Sequence, residues 1–402
     1  MFYYYLPELP LAFEIVFLFF LSLHSMIGAV LSPQDSGTTS SRRTGEGKNP
    51  PQVVYFLRKP KSGAHSIEEV FKNLHAYLMG AVASFRPAVK TAPAYSHTIF
   101  SILRNIVFAA RHQGAVNHVT GDTHYMILGM SRKNRNILTI HDCALLHRFP
   151  RFSIRYWLYK WLWLDLPVRW ATIVTTISET TRADILRFTG CDPAKIVVIP
   201  NYVNPLFRPS PEHFRPDEPR ILQLGTAANK NLERVIPALK GIPCTFEIVG
   251  RLGSKQRDLL RRYNIRFENS SDLSYEEVAQ KYRDCDLVVF ASTFEGFGMP
   301  VIEAQASGRP VITSNIFPLR DVAGDAAHLV DPYDVEDIRA GLRKLIDDPV
   351  YRHTLVSKGL KNVDRFRIDA VAGQYLNLYS DSTASNICVG SPELSAGKTR
   401  DQ

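Results

Sequence analysis

Beyond residue 52, short β-branched or apolar runs alternate with longer stretches in which apolar residues return at helical spacing. That alternation is the mark of βαβ units and hence of a parallel sheet. A first series predicts strands at 53–57, 115–119, 136–140 and 172–176, with helices at 66–79, 98–111 and 179–188. A polar, Pro-rich stretch at 201–219 follows and reads as a hinge. A second series then predicts strands at 220–224, 245–249, 287–290 and 310–313. Its helices fall at 231–239, 255–263, 275–283, 300–306 and 334–346. The expected fold class is α/β, built as two facing Rossmann-like domains with parallel sheets. Ligands of such sheets bind beyond the carboxyl ends of the strands, so the chemistry is expected in the cleft between the domains.

The ends of the chain have a different pattern. Residues 32–51 and 381–402 hold little to bury and read as a flexible leader and a disordered tail. The expected divisions are 1–50, an apolar segment plus leader; 51–205, the first domain; 206–366, the second; 367–380, a helix packing back on the first; and 381–402, the tail. Residues 15–31 form a mostly apolar run at the lower limit for crossing a bilayer. No Lys or Arg precedes Arg42, so the basic region of a secretion signal is missing. Were the run to span, Arg42, Arg43 and Lys48 would hold the rest of the chain on the cytoplasmic side.

Composition narrows the partners. Of 402 residues, 45% are apolar and 22% charged, enough for two cores, and the net charge is +9. Phosphorylated small molecules and anionic lipid suit that charge. Nucleic acid is not expected, because no C2H2 spacing, RNP-type aromatic run or lysine-rich arm is present. Cys143, Cys191, Cys244, Cys285 and Cys388 are scattered singly, a pattern that fits a reducing compartment. The expected location is cytoplasmic, anchored or peripheral at the inner face of the membrane.

The stretch 290–308, FASTFEGFGMPVIEAQASG, carries the most chemistry. A buried strand ends, a glycine-bearing loop turns, Pro300 opens a helix and Gly308 closes it. This arrangement aims the amides of Gly296, Phe297, Gly298 and Met299 at an anion. Glu295 lies on the loop and Glu303 one turn into the helix, where carboxylates suit sugar and ribose hydroxyls. A second loop, Gly225-Thr226-Ala-Ala-Asn-Lys230, follows a strand and sets Lys230 at a helix start, placed to meet a diphosphate.

The segment EGFGMPVIEA, followed by SGRPVITSN and DVAGDAAHLVDP, resembles the retaining glycosyltransferases of family 4, the glycosyl transferases group 1. The likeness is strong from 220 to 348 and looser in the first domain through TIHD, TISETTRADI and VVIPNYV. It implies the GT-B architecture, an acceptor-side first domain, a nucleotide-sugar-binding second domain and a nucleoside-diphosphate sugar donor. The acceptor would be a glycan or glycolipid. By the same resemblance Glu295 serves the donor sugar, Glu303 the ribose and Lys230 the diphosphate. Thr226 stands where relatives often carry an arginine, and Arg251, just past the strand EIVG, reads either as its substitute or as an exposed basic residue with no role. His141, after the strand NILTI, would hydrogen-bond the transferred sugar or its phosphate, the alternative being that it satisfies neighbouring backbone. Gly63 resembles the glycine-rich loop near donor and acceptor. The expected activity is hexosyl transfer with retention, in polysaccharide or glycolipid synthesis.

Two features get structural readings. Asp284-Cys285-Asp286 mimics a DxD metal motif but sits where a helix enters a buried strand, so no metal or other cofactor is expected. Residues 151–170 hold four tryptophans with Arg151, Arg155, Lys160 and Arg169 against Asp165. They read as a core crossover helix, with an interfacial helix on anionic lipid as the alternative. Two other function classes stay in view. A nucleotide-dependent oxidoreductase lacks a G-x-G-x-x-G after any strand, and a two-lobed sugar-binding protein would need export.

Overall fold

The computed structural model describes residues 53–60, 66–81, 87–210 and 214–380. The apolar run at 15–31, Gly63 and the tail at 381–402 lie outside the described residues. Two six-stranded sheets form, and every strand pair in them is parallel. The first holds β1 (Val53–Leu57), β2 (Ala88–Thr91), β3 (Val116–Val119), β4 (Arg135–Ile140), β5 (Ile173–Thr176) and β6 (Ile196–Val198), in the order β2-β1-β3-β4-β5-β6. The second holds β7 (Arg220–Leu224), β8 (Thr245–Val249), β9 (Phe267–Ser270), β10 (Leu287–Phe290), β11 (Val311–Ser314) and β12 (His328–Val330), in the order β12-β11-β10-β7-β8-β9.

Strand order fixes where a ligand can sit. In the first sheet the chain runs outward from β1 to β2 and then restarts at β3 on the other side of β1. In the second it runs from β7 outward to β9 and restarts at β10, beside β7. At each restart the loops leave in opposite directions and open a crevice past the strand ends. The β1/β3 and β7/β10 boundaries are therefore the two places built to receive a ligand.

Each sheet is buried on both faces. Val54, Phe56, Val119, Leu138 and Val174 face one cluster of the first domain, while Val53, Tyr55, Leu57, Ile137 and Ile173 face the other. In the second domain Leu222, Val288 and Phe290 alternate with Ile221, Leu287 and Val289 in the same way. Burial on two faces requires continuous apolar runs, which is why these strands are legible in the sequence.

The chain crosses between domains twice. Val203 N donates to Phe366 O at 2.8 Å, so the outgoing linker and the returning strand of chain run together. The helix Ile368–Ser380 then buries Val371, Ala372, Tyr375, Leu378 and Tyr379 against the first domain's Val53, Tyr55 and Leu57.

Four strands fall outside the sequence pattern, namely β2, β6, β9 and β12. They are the four sheet edges. The stretch 151–170 is helical in three pieces: Ile154–Tyr159, the π-wound Lys160–Asp165 and Leu166–Trp170. Its later part is core. Trp163 stacks on Tyr159 with ring centroids 5.4 Å apart, and Trp170 Nε1 donates to Met130 O at 2.8 Å. Its first part is two-faced, with Tyr156 in the core and Trp157 exposed. Among the described residues no helix is long and apolar enough to cross a membrane.

Candidate active site

The second domain's crevice is built from the loops after β7 and β10. Gly225 takes φ +84°, open to glycine at little steric cost, and a Cβ there would stand 3.1 Å from Cγ and Cε of Lys230. The loop closes through the short turn Ala228–Lys230 into Asn231, itself left-handed at φ 62°. Asn231 Nδ2 donates to Ala291 O at 2.9 Å and to Pro332 O at 2.6 Å, which ties this loop to the end of β10. Asn229 adds bonds from Nδ2 to Phe294 O at 2.9 Å and to Glu295 Oε1 at 3.3 Å. Lys230 Nζ then meets Glu295 Oε1 at 2.6 Å, with its ammonium 4.5 Å from the Phe290 ring centroid. Sequence reasoning passed over Asn229 and Asn231; an asparagine just before a helix, where a left-handed residue is needed, was the available signal.

Glu303 projects from the helix Met299–Ala306, whose first turn carries Pro300. The helix is capped by Gly298 at φ 116°, where a Cβ would lie only 2.4 Å from Leu319 Cδ2. Phe297 turns inward and packs edge-on against Phe366, so its side chain is buried in the second domain's core. Tyr282 Oη donates to Glu303 Oε2 at 2.8 Å. Burial lifts the Glu303 carboxyl to about 7, against the opposing pull of the Tyr282 hydroxyl and the Lys230 charge. Lys230 is thus the positive charge felt by both carboxylates.

The first domain presents its own crevice. Past β1 and β3, Arg58 Nη1 meets Asp122 Oδ2 at 3.2 Å, a pair that only the strand order singles out. Past β4, His141 Nε2 lies 2.9 Å from Thr120 O. A carbonyl only accepts, so this ring carries its proton on Nε2 and presents Nδ1 as an acceptor. Burial holds its pKa below the ordinary histidine range, which keeps the ring neutral. The two domains touch here. Ser178 Oγ donates to Gly296 O at 3.0 Å, and a Cβ on Gly296 would stand 3.1 Å from His141 O and 3.2 Å from Asp142 Cβ. The carboxyl ends of both sheets therefore face each other, with Glu295 and His141 on the loops that meet.

A sequence model described as Glycosyl transferases group 1 matches residues 208–362, and one described as Glycosyltransferase Family 4 matches residues 65–205. The O-antigen chain mannosyltransferase B of Escherichia coli is 26% identical over 272 residues, covering 62% of this chain and 71% of that protein. The MMP alpha-(1->4)-mannosyltransferase of Mycolicibacterium hassiacum is 29% identical over 233 residues, 52% of this chain and 54% of its own length. Among solved structures, a glycosyltransferase from Rickettsia africae superposes with a TM-score of 0.66 at 16% identity, covering 83% of this chain and 98% of that one. Anabaena HepE in complex with UDP-glucose superposes at 0.65 with 15% identity, over 81% and 98%. These matches mark the chain as a GT-B glycosyltransferase.

The remaining sequence candidates of the transferase take up other positions. Thr226 Oγ1 donates to the Arg251 carbonyl at 2.7 Å, while the Arg251 side chain is exposed and binds Asp272 through both of its carboxylate oxygens. Arg251 is therefore turned to Asp272 and does not join Lys230. Asp286 is buried at the opposite, amino end of β10 and accepts from Arg215 N and Nε and from Arg220 N. It pins the interdomain linker to β7. Among the described residues no three His, Cys, Asp or Glu side chains converge as a metal site, and Cys143, Cys191, Cys244 and Cys285 are free thiols.

Proposed function

We propose that this transferase moves a hexose from a nucleoside-diphosphate sugar to an acceptor hydroxyl, with retention at the anomeric carbon, in the synthesis of a polysaccharide or glycolipid. The observation that carries the reading is the ion pair of Lys230 with Glu295, set at the β7/β10 crevice and facing the His141 loop across the cleft. An arriving diphosphate would draw Lys230 away from Glu295. The freed carboxylate would then accept from sugar hydroxyls, while Glu303 accepts from the ribose. His141 Nδ1 would take a further sugar hydroxyl.

Departure of the diphosphate builds negative charge, which Lys230 and the amides of Gly296, Phe297, Gly298 and Met299 at the helix start are placed to offset. We assign this role to them without a metal. Gly225 and Thr226 would line the same phosphate site through their backbone. The names of the relatives support a sugar acceptor, and the complex of HepE with UDP-glucose supports a nucleotide-sugar donor. A cytoplasmic enzyme working at the inner membrane face is consistent with this substrate set.

The test is a screen of nucleoside-diphosphate sugars for donor hydrolysis, read by mass, with and without a chelator, followed by the anomeric configuration of a transferred product. Turnover of one donor that survives chelation, giving a retained anomer, is expected. Tight NAD binding without donor turnover would move the chain to the oxidoreductases. Sugar binding with no turnover of any donor would make it a binding protein.

A further inference from the structure

The first domain carries a patch that the transfer chemistry does not use. Phe152 is 93% exposed, Trp157 54% and Ile154 52%, three large apolar side chains within six residues. Soluble surfaces scatter such residues singly, so a cluster marks an interaction face. Ile154 and Trp157 share one side of the helix Ile154–Tyr159, while Tyr156 on the other side is buried. Arg148, Arg151, Arg155 and Arg187 are exposed around them, and no Asp or Glu occurs from Cys143 to Leu164. Lys160 is occupied by Asp165 at 2.6 Å and adds nothing to this rim. Between rim and aromatics lies an open groove of ≈ 410 Å³ lined by Arg151, Tyr156, Trp157, Lys160, Arg187 and Phe188.

We infer that this face seats the protein on an anionic bilayer, with Phe152, Ile154 and Trp157 entering the interface and the arginines meeting lipid phosphates. Exposed aromatic and aliphatic side chains ringed by arginine, with the nearby acids Asp165 and Asp184 already paired to Lys160 and His147, match an interface that is apolar below and negative above. A nucleic acid would use the arginines but would leave Phe152 and Ile154 in water. The position of the patch matters for the chemistry. Phe188 packs on His147 with centroids 5.3 Å apart, and His147 packs on Phe294 at 6.1 Å, next to Glu295. Docking would therefore bring the mouth of the cleft to the membrane and present it with acceptors held there. This last consequence rests on the proposed transfer activity, whereas the docking does not.

The experiment uses the full chain and its own fluorescence. All four tryptophans lie between residues 157 and 170, so the apolar run at 15–31 contributes no signal. Vesicles of phosphatidylcholine, alone or mixed in equal parts with phosphatidylglycerol, carry brominated acyl chains that quench a tryptophan at contact. Quenching is expected on the anionic vesicles, weak on the neutral ones and lost in Trp157→Phe. Arg151→Ala and Arg155→Ala should each lower vesicle partitioning roughly fivefold, and Phe152→Ser should lower it too. Donor hydrolysis in solution should be unchanged in all four variants, which separates a failed docking face from a failed reading of the active site. Equal quenching on neutral vesicles, quenching that persists in Trp157→Phe, or displacement from anionic vesicles by single-stranded RNA would overturn the inference.

Discussion

Lys230 and Glu295 come from loops separated by 65 residues of chain, yet their charged groups meet at 2.6 Å at the boundary of β7 and β10. Their side chains are 20% and 13% exposed, so the pair is shielded from solvent and sits in the crevice where a donor phosphate would arrive. The partner exchange proposed for donor binding would begin from this pair.

Lys230→Ala and Glu303→Ala are each expected to cut turnover at least roughly tenfold, the scale of losing one charged contact to the transition state. Single-turnover donor cleavage measures this directly. Activity equal to that of the native enzyme would remove the substituted residue from the site.

Gly296→Ala probes the contact between domains. The added methyl must push on His141 O and Asp142 Cβ, at 3.1 and 3.2 Å, so the lobes have to part by a few tenths of an ångström. Misplacement on this scale costs catalysis more than folding, and kcat is expected to fall roughly tenfold. Thermal unfolding should stay within about one degree, because the loop itself gains no buried polar group or left-handed strain. A matched loss of stability and rate would show that the loop was merely damaged.

Glu303 gives the enzyme a pH dependence whose sign can be worked out. Its folded carboxyl titrates at about 7 against an ordinary 4.5, because burial disfavours the charge. The folded state thus holds a proton that the unfolded state gives up. Stability is full below about 4.5 and declines as pH rises through 7, by about 3 kcal/mol. The proposed ribose binding would run the other way, since only the ionised carboxylate accepts from both hydroxyls. Donor affinity should rise as pH passes about 7, and Glu303→Gln should flatten both profiles. Urea unfolding and donor titration across pH 5–9 test the two halves separately.

Tyr379→Phe tests how the last helix is held. Tyr55 Oη donates to Tyr379 Oη at 2.8 Å, His118 Nδ1 lies 2.9 Å from the same oxygen, and His118 Nε2 reaches Thr139 Oγ1 at 2.7 Å. Burial pushes the His118 pKa down to about 3, so the network is neutral. Deleting one hydroxyl leaves buried polar groups short of a partner, a loss of about 1–3 kcal/mol. Denaturant unfolding should show it in the first domain's transition, with the second domain's unmoved.

The strands that the pattern marks are interior ones, and those it misses are edges. Phe267-Glu-Asn-Ser270 of β9 and Ala88-Val-Lys-Thr91 of β2 have polar or alternating sequences because one side of each faces water. Their pairing comes from a neighbour's open hydrogen bonds rather than from their own composition. The site was legible in the same partial way. Glu295, Glu303 and Lys230 stand out through glycine and proline punctuation, whereas Asn231, Arg58 and Asp122 draw their meaning from strand order.

Local chemistry alone determined that this chain forms two α/β units, since burial on both faces writes itself as apolar runs and a loop needing positive φ writes itself as glycine. The sequence also determined which residue types wait at the strand ends. Tertiary structure decided who meets whom: Lys230 with Glu295, Gly296 with His141, Tyr379 with Tyr55, and Trp157 with solvent while Trp163 packs inside. The reason is physical. A residue's demand for burial or charge is local, but the partner that satisfies it is set by the order of parallel strands and by how two sheets face, which bring together positions tens to hundreds of residues apart.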